Sequence, residues 1–298
     1  MTCSLVQEGT PSSEIEVDKD LVRALLKEQY CDLAEHPIQP MGSGWDNAMF
    51  RLGETMTVRL PRRKAAVNLI EHEQTWLPRL ANRLTLPAPV PLRVGNPSVH
   101  YPWHWSVLPW IDGETADVVE PNHEQAARFG AFLRSLHILA PSTAPSNPFR
   151  GMSLLARSPQ TQPVLESLEI GTSLITPRIK QIWQQALEAP TTDEKRWLHG
   201  DLHPHNVLVK DEIISGVIDW GDMTSGDVAT DLAAVWMLFS DVETRKLAFS
   251  QYGASESEIV RAKGWAISFA ALLLHTGLVD NQRNAAIGKR ILQRLQVE

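Results

Sequence analysis

The chain has 298 residues, 43% hydrophobic and 21% charged, with a formal net charge of -7. That length supports two domains or one large two-lobed unit, and the acidic balance argues against a nucleic-acid partner, which needs a basic surface. Only Cys3 and Cys31 are present, without CxxC spacing, so neither a disulfide framework nor a Cys-based zinc site is expected, and a reducing, cytoplasmic setting fits.

The first sixteen residues are polar, with no basic head and no apolar stretch, and read as a loose arm, not a secretory signal. A helical pattern opens at Asp18, with Leu21, Val22, Leu25 and Leu26 on one face. Met49–Leu52 and Met56–Leu60 flank a turn at Gly53-Glu54 and predict a hairpin closed by Pro61. A helix is expected over 65–83, on Leu69, Ile70, Leu77 and Leu80. Residues 86–97 are Pro-rich and read as extended chain or loop, and Trp105–Leu108 as a strand. The connector Pro109–Gly113 divides the chain into an N-lobe, 1–110, and a C-lobe, 111–298.

In the second part, a helix is expected over 121–138, with Ala127, Leu133 and Leu136 in register. The Pro/Ser-rich stretch 140–163 reads as a loop, and 173–189 as a helix. Val207–Val209 and Ile213–Ile218 flank Asp211-Glu212 as a second hairpin. From Asp227 the chain reads as mostly helix. The most apolar run, 266–279, is interrupted by Ser268, His275, Thr276 and Gly277. It is too short to span a bilayer and reads as a buried helix, so no membrane partner is expected.

The chemistry concentrates in residues 199–206, His-Gly-Asp-Leu-His-Pro-His-Asn, followed by the hairpin and Ile218-Asp219-Trp220-Gly221. Phosphoryl transfer asks a protein mainly for positioning and charge neutralisation. One carboxylate orients the attacking hydroxyl and takes its proton, and an amide and a second carboxylate suffice for a hard cation such as Mg2+. Asp201 fits the first role, and Asn206 and Asp219 the second. The hairpin between Asn206 and Asp219 returns the second ligand to the first.

This segment resembles, in register, the catalytic loop of the protein-kinase-like superfamily, and more closely the aminoglycoside phosphotransferase family. The resemblance spans roughly residues 40–240. It implies an α+β, two-lobed protein-kinase-like fold, with a small antiparallel-sheet N-lobe and a larger, mostly helical C-lobe. It implies ATP or GTP as phosphoryl donor with Mg2+, and a small-molecule hydroxyl acceptor. It places Arg59 where the family has its phosphate-binding lysine. Glu73 falls at the position of that lysine's helix partner, with Glu71 as an alternative. Gly42, Ser43 and Gly44 fall in the nucleotide-covering loop, and Asp112-Gly113 match the hinge. The Pro109 carbonyl and the Ile111 amide would then meet the adenine edge. Asp231 matches an acidic residue that props the catalytic loop. His203 stands where protein kinases have a lysine near the γ-phosphate. Gly200 replaces the arginine through which protein kinases sense a phosphorylated activation loop, so control of that kind is not expected. Arg59 departs from lysine in geometry while keeping the charge.

By this resemblance the first acceptor is an aminoglycoside-like antibiotic, with resistance as the biological outcome. Asp222, Asp227, Asp241, Glu243 and Asp280 could furnish a negative cleft for it. A macrolide, amino alcohol, sugar or amino-acid hydroxyl is the alternative. Two other classes compete. A metallohydrolase would use His199, Asp201, His203 and His205 as zinc ligands, but Pro204 breaks their alternation and Asn206, Asp219, Arg59 and Glu73 stay unexplained. A non-catalytic nucleotide-binding kinase relative is favoured only by arginine at position 59.

Overall fold

The computed structural model describes residues 12–297. Part of the expected N-terminal arm, residues 1–11 including Cys3, lies outside the described residues. The arm's described end is tethered: the Glu14 amide donates to the Arg62 carbonyl at 2.9 Å. The chain divides into two compact units, one built on residues 10–82 and 87–112, the other on 83–86 and 113–298.

The first unit opens with helix α1 (Lys19–Gln29), capped by Asp18, whose Oδ1 accepts from the Leu21 amide at 2.8 Å. Strands β1 (Ile38–Ser43), β2 (Asn47–Leu52) and β3 (Met56–Pro61) form a meander, followed by α2 (Val67–Leu80), β4 (Arg93–Gly95) and β5 (Trp105–Pro109). The sheet is antiparallel throughout, in the order β1-β2-β3-β5-β4. Val22, Leu25 and Leu26 of α1 bury against Phe50, Leu52, Val58, Leu60, Trp105 and Val107 of the sheet. Alternation along β2 and β3 thus gives the unit one apolar face for α1 to cover. The helix expected over 65–83 is α2 with a single tighter turn at each end, Lys64–Ala66 and Ala81–Arg83. The Pro-rich stretch contains one short strand, β4, that the sequence did not announce.

The second unit contains β6 (Glu114–Thr115), α3 (Gln125–Leu136), α4 (Leu154–Gly171), α5 (Pro177–Glu188), β7 (Arg196–Leu198), β8 (Val207–Lys210), β9 (Ile213–Val217) and β10 (Thr224–Gly226). Helices α6 (Ala229–Leu232), α7 (Ala234–Leu238), α8 (Val242–Tyr252), α9 (Glu256–Asp280) and α10 (Gln282–Arg294) follow. The second hairpin is β8–β9, with β6 on its other edge. Its two turn residues, Asp211 and Glu212, have φ of 52° and 60°, the left-handed pair that a two-residue hairpin turn requires.

Two sequence expectations are corrected here. The loop expected over 140–163 ends at Ser153, which caps α4, and the helix runs through Pro159 and Pro163. These prolines lie four apart on an exposed face shared with Leu155, so the carbonyls they leave without intrahelical donors can reach water. The apolar run at 266–279 belongs to a much longer helix. The 25-residue α9 is long and apolar enough to cross a membrane by length and composition, yet most of its apolar window is buried against α4, α5, α6 and α10.

Candidate active site

The catalytic-loop segment is held from beneath by Asp231 of α6. Its carboxylate accepts from the His199 amide at 2.7 Å and from the Gly200 amide at 2.9 Å, and His137 Nε2 lies 3.3 Å from Oδ2. Asp231 is fully buried, so these donors carry the charge that water would otherwise solvate. Gly200 is required by its surroundings: φ is +88°, and a Cβ would sit 2.4 Å from the Asp222 carbonyl oxygen. Gly113 is similarly constrained, with φ of +145° and the Val209 carbonyl oxygen 2.9 Å from where a Cβ would lie.

His199 is buried and packs on Trp220, with ring centroids 4.7 Å apart. Nε2 faces the Ile218 carbonyl at 3.0 Å and Nδ1 faces the Asp201 amide at 3.3 Å. This pattern fixes the tautomer with the proton on Nε2. Burial pushes its pKa below the ordinary histidine value, against the pull of Asp231. A neutral imidazole therefore ties the chain at Asp201 to the chain just before Asp219.

Asp201 Oδ1 receives Arg150 Nη2 at 2.9 Å, and Oδ2 lies 3.2 Å from His203 Nε2. Burial works against the charged carboxylate, but His203 and Arg150 outweigh it and hold its pKa well below the usual range. His203 is correspondingly raised: burial opposes the charged imidazole, and Asp201 overcomes it. Asn206 donates from Nδ2 to the Asp201 carbonyl at 2.8 Å, which turns its amide oxygen to the opposite side. The Asn206 carbonyl in turn accepts from the Ile218 amide at 2.9 Å. Asp219 follows in the left-handed conformation, φ 60° and ψ 66°, a backbone state that costs a non-glycine residue about 1–3 kcal/mol and clusters at functional sites. Asp201, Asn206 and Asp219 are therefore joined through one short network of backbone and side-chain bonds.

This donor set fits magnesium. It offers an amide oxygen with its nitrogen already committed, and a carboxylate on a strained turn, both hard oxygen ligands. The histidines do not converge as zinc ligands: His199 is spent on Ile218 and Trp220, and His205 faces Asp117 and Asn284 at 3.2 and 2.9 Å.

In the first unit, Arg59 Nη2 lies 3.0 Å from Glu73 Oε2, and both side chains are buried. Glu71 goes instead to His104, 2.8 Å away. Gly42, with φ of +103°, follows a bulge in β1, and the Gly44 amide donates to the Asn47 carbonyl at 2.9 Å. Pro109 ends β5. Beyond it the Trp110 amide donates to the Thr55 carbonyl at 2.7 Å, and Arg51 stacks 3.6 Å from the Trp110 ring centroid. Ile111 lies in the connector after Trp110, half-buried.

Sequence reasoning missed two groups. Arg150, in a stretch read as featureless loop, bonds directly to Asp201. The Asp117 side chain is almost fully covered and takes Arg283 of α10 on both oxygens as well as His205. Burial opposes its charge, but His205 and Arg283 hold its pKa far below the carboxylate range. No motif or spacing announces either residue, because both meet the loop from distant segments. Four of the five acidic residues expected to furnish a negative cleft have separate partners: Asp227 binds Arg261, Asp241 caps α8, Glu243 pairs with Lys246, and Asp222 accepts from Asn147 at 2.7 Å.

The profile of the Phosphotransferase enzyme family matches residues 37–265. No curated protein matches the chain. Among solved structures, the GDP complex of wild-type aminoglycoside 2'-phosphotransferase-IIIa superposes with a TM-score of 0.70 at 15% identity, covering 94% of this chain and 99% of that one. The GDP and kanamycin complex of APH(2")-IIia gives 0.68 at 16%, covering 92% and 98%. Macrolide 2'-phosphotransferase MphH from Brachybacterium faecium gives 0.63 at 18%, covering 91% and 98%. These similarities show the two-lobed, protein-kinase-like α+β fold. With the family profile matching more than three quarters of its length, the chain belongs to the phosphotransferase enzyme family, whose members here resembled are small-molecule O-phosphotransferases.

Proposed function

We propose that the enzyme moves the γ-phosphoryl group of Mg-bound ATP or GTP to a hydroxyl of a polar small molecule. The observation that carries this is the bonded network of Asp201, Asn206 and Asp219, with Asp231 beneath it. Asp201 would orient the acceptor hydroxyl and take its proton as the O–P bond forms and the bond to the leaving diphosphate breaks. Its depressed pKa makes it a weak base, which suits a loose transition state in which the proton leaves late. Asn206 and Asp219 would hold the magnesium ion, which supplies charge neutralisation on the triphosphate. Arg59, fixed by Glu73, would receive donor phosphate oxygens. Gly42, Ser43 and Gly44 would cover the phosphates, Pro109 and Ile111 would meet the base, and His203 would lie near the γ-phosphate. The two isolated cysteines and the nucleotide donor support a cytoplasmic setting.

For the acceptor, fold analogy favours an aminoglycoside-like antibiotic, since one neighbour binds kanamycin. A different hydroxyl compound is favoured by a specific observation: the group seated on Asp201 is a cation, Arg150. A screen of purified protein against hydroxyl-bearing compounds, coupled to ADP or GDP release, tests the reading. Failure of every acceptor, together with an Asp219→Ala variant that retains full nucleotide hydrolysis, would overturn it.

A further inference from the structure

Arg157 lies in the first turn of α4 and keeps only 8% of its surface exposed. Among the described residues, its guanidinium has neither a carboxylate partner nor a hydrogen bond. Its Nε is buried without an acceptor, and its aromatic contact is Phe149, 5.8 Å away. Burial, and then Arg150, lower its pKa to about 10, which still leaves it charged at neutral pH. A guanidinium withdrawn from water along its Nε edge without a counter-ion is costly. Its location adds to that cost, because the N-terminal end of a helix favours anions and disfavours cations. The first turn of α4 carries no acidic residue to compensate.

Arg150 is the second member. It stacks 4.7 Å from the Phe269 ring centroid and gives Nη2 to Asp201, while its own Nε is also buried without an acceptor. Arg150 sits on Asp201, and Arg157, over the neighbouring Phe149, adds its positive charge to that of Arg150. Asp201 and Asp222 are acidic groups that act on Arg150. Burial, and then Asp201, push Asp222 up to about 6, so it supplies less than a full charge near that pH.

Resting on the phosphotransferase reading above, the geometry points to Arg150 and Arg157 as an anion subsite for the acceptor: the molecule that delivers its hydroxyl to Asp201 also carries a carboxylate or a phosphate group. The anion supplies the counter-charge that Arg157 lacks. It also draws Arg150 off Asp201 Oδ1, freeing that oxygen for the hydroxyl. Phe149, 54% exposed, offers an apolar surface at the edge of the subsite. A polycation would meet two like charges at this point.

The test uses the full chain loaded with Mg2+ and a non-hydrolysable ATP analogue, with inorganic sulfate as the probe. Sulfate should raise the melting temperature of the wild type, and Arg157→Met should abolish the increment without lowering melting in sulfate-free buffer. A residue with only a structural role would lower it. Should Arg157→Met fail to fold, Arg150→Met carries the same measurement. The turnover arm compares hydroxy acids with their neutral amides, and hydroxylated phosphate esters with their dephosphorylated counterparts, and so separates the two sources of anion. The acceptor KM should rise about 10- to 100-fold in Arg157→Met, the range expected for loss of a charged hydrogen bond, and Arg157→Lys should recover part of it. An equal sulfate increment in wild type and variant, no increment in the wild type, or equal turnover of charged and neutral partners overturns the subsite. Loss of Mg-dependent ATP hydrolysis in Asp219→Ala reports on the phosphotransferase reading separately, so the two can fail independently.

Discussion

His199 donates from Nε2 to the carbonyl oxygen of Ile218 at 3.0 Å, one residue before Asp219. The companion bond, from the Asp201 amide to Nδ1, works only while the ring is neutral, because a protonated Nδ1 cannot accept. Asp201, Asp219 and Asp231 all favour the protonated ring, and burial prevails over them. In the unfolded chain the ring titrates near 6.5, so below that pH the unfolded state binds the extra proton and stability falls as pH falls. His199→Gln should therefore be less stable at neutral pH and should show a shallower loss on going from pH 7 to 5. Melting temperature against pH measures this, and parallel curves for the two proteins would contradict it.

Asp201→Ala should reduce turnover by about 100- to 10,000-fold, the usual worth of a positioned base. Nucleotide affinity should stay near that of the wild type. Steady-state kinetics and equilibrium titration with a nucleotide separate the two quantities.

Asp219→Ala should abolish transfer, and raising the magnesium concentration should not restore it fully, because the triphosphate charge loses its carboxylate clamp. Asn206→Ala should be milder, since a water can stand in for an amide ligand. Activity measured over a magnesium titration ranks the two variants, and equal losses would argue against this division.

Arg59 and Glu73 form a buried pair, so removing the Glu73 carboxylate takes a counter-charge from a buried guanidinium. Glu73→Ala should cost about 3–5 kcal/mol, read by denaturant unfolding. Glu73→Gln should cost less, because its amide oxygen can still accept from the guanidinium. Glu71→Ala should be close to neutral, because Glu71 faces the half-exposed His104.

Gly200→Ala should be damaging out of proportion to one methyl group. The added Cβ meets the Asp222 carbonyl at 2.4 Å, and the left-handed backbone is itself unfavourable for alanine. A lower melting temperature together with reduced turnover is the expected pair of results. Gly171→Ala, where the added Cβ meets nothing within 4 Å, serves as the control.

What the sequence disclosed, and what it withheld, follows from range. The candidate residues Asp201, Asn206 and Asp219 lie in one nineteen-residue run that contains a hairpin, so their spacing carries the geometry. Strand alternation in β2 and β3 and the turn at Asp211-Glu212 are local signals too. The Glu73 register is partly local: in α2, Ile70, Glu73 and Leu77 share the buried face, which leaves Glu71 outside it. Arg150, Arg157 and Asp117 act across tens of residues of intervening chain, and no periodicity encodes that. Helix α4 was hidden because its two prolines argue locally for a loop, and only the exposed face on which they lie makes the helix tolerable. The acidic residues after 220 show a limit of composition: it counts charges without showing which arginine or helix end a given one serves.

The burial of α9 has a consequence for biosynthesis. Its eighteen-residue apolar window has a mean hydropathy of 1.3, and one of the elements that covers it, α10, is translated after it. Until α10 docks there is an interval in which α9 lacks part of its cover. During that interval the nascent chain presents a segment of the length and apolarity that chaperones and targeting factors bind. Substitutions that weaken the docking of α10 on α9 should therefore lower the yield of folded enzyme by aggregation as well as by lost stability.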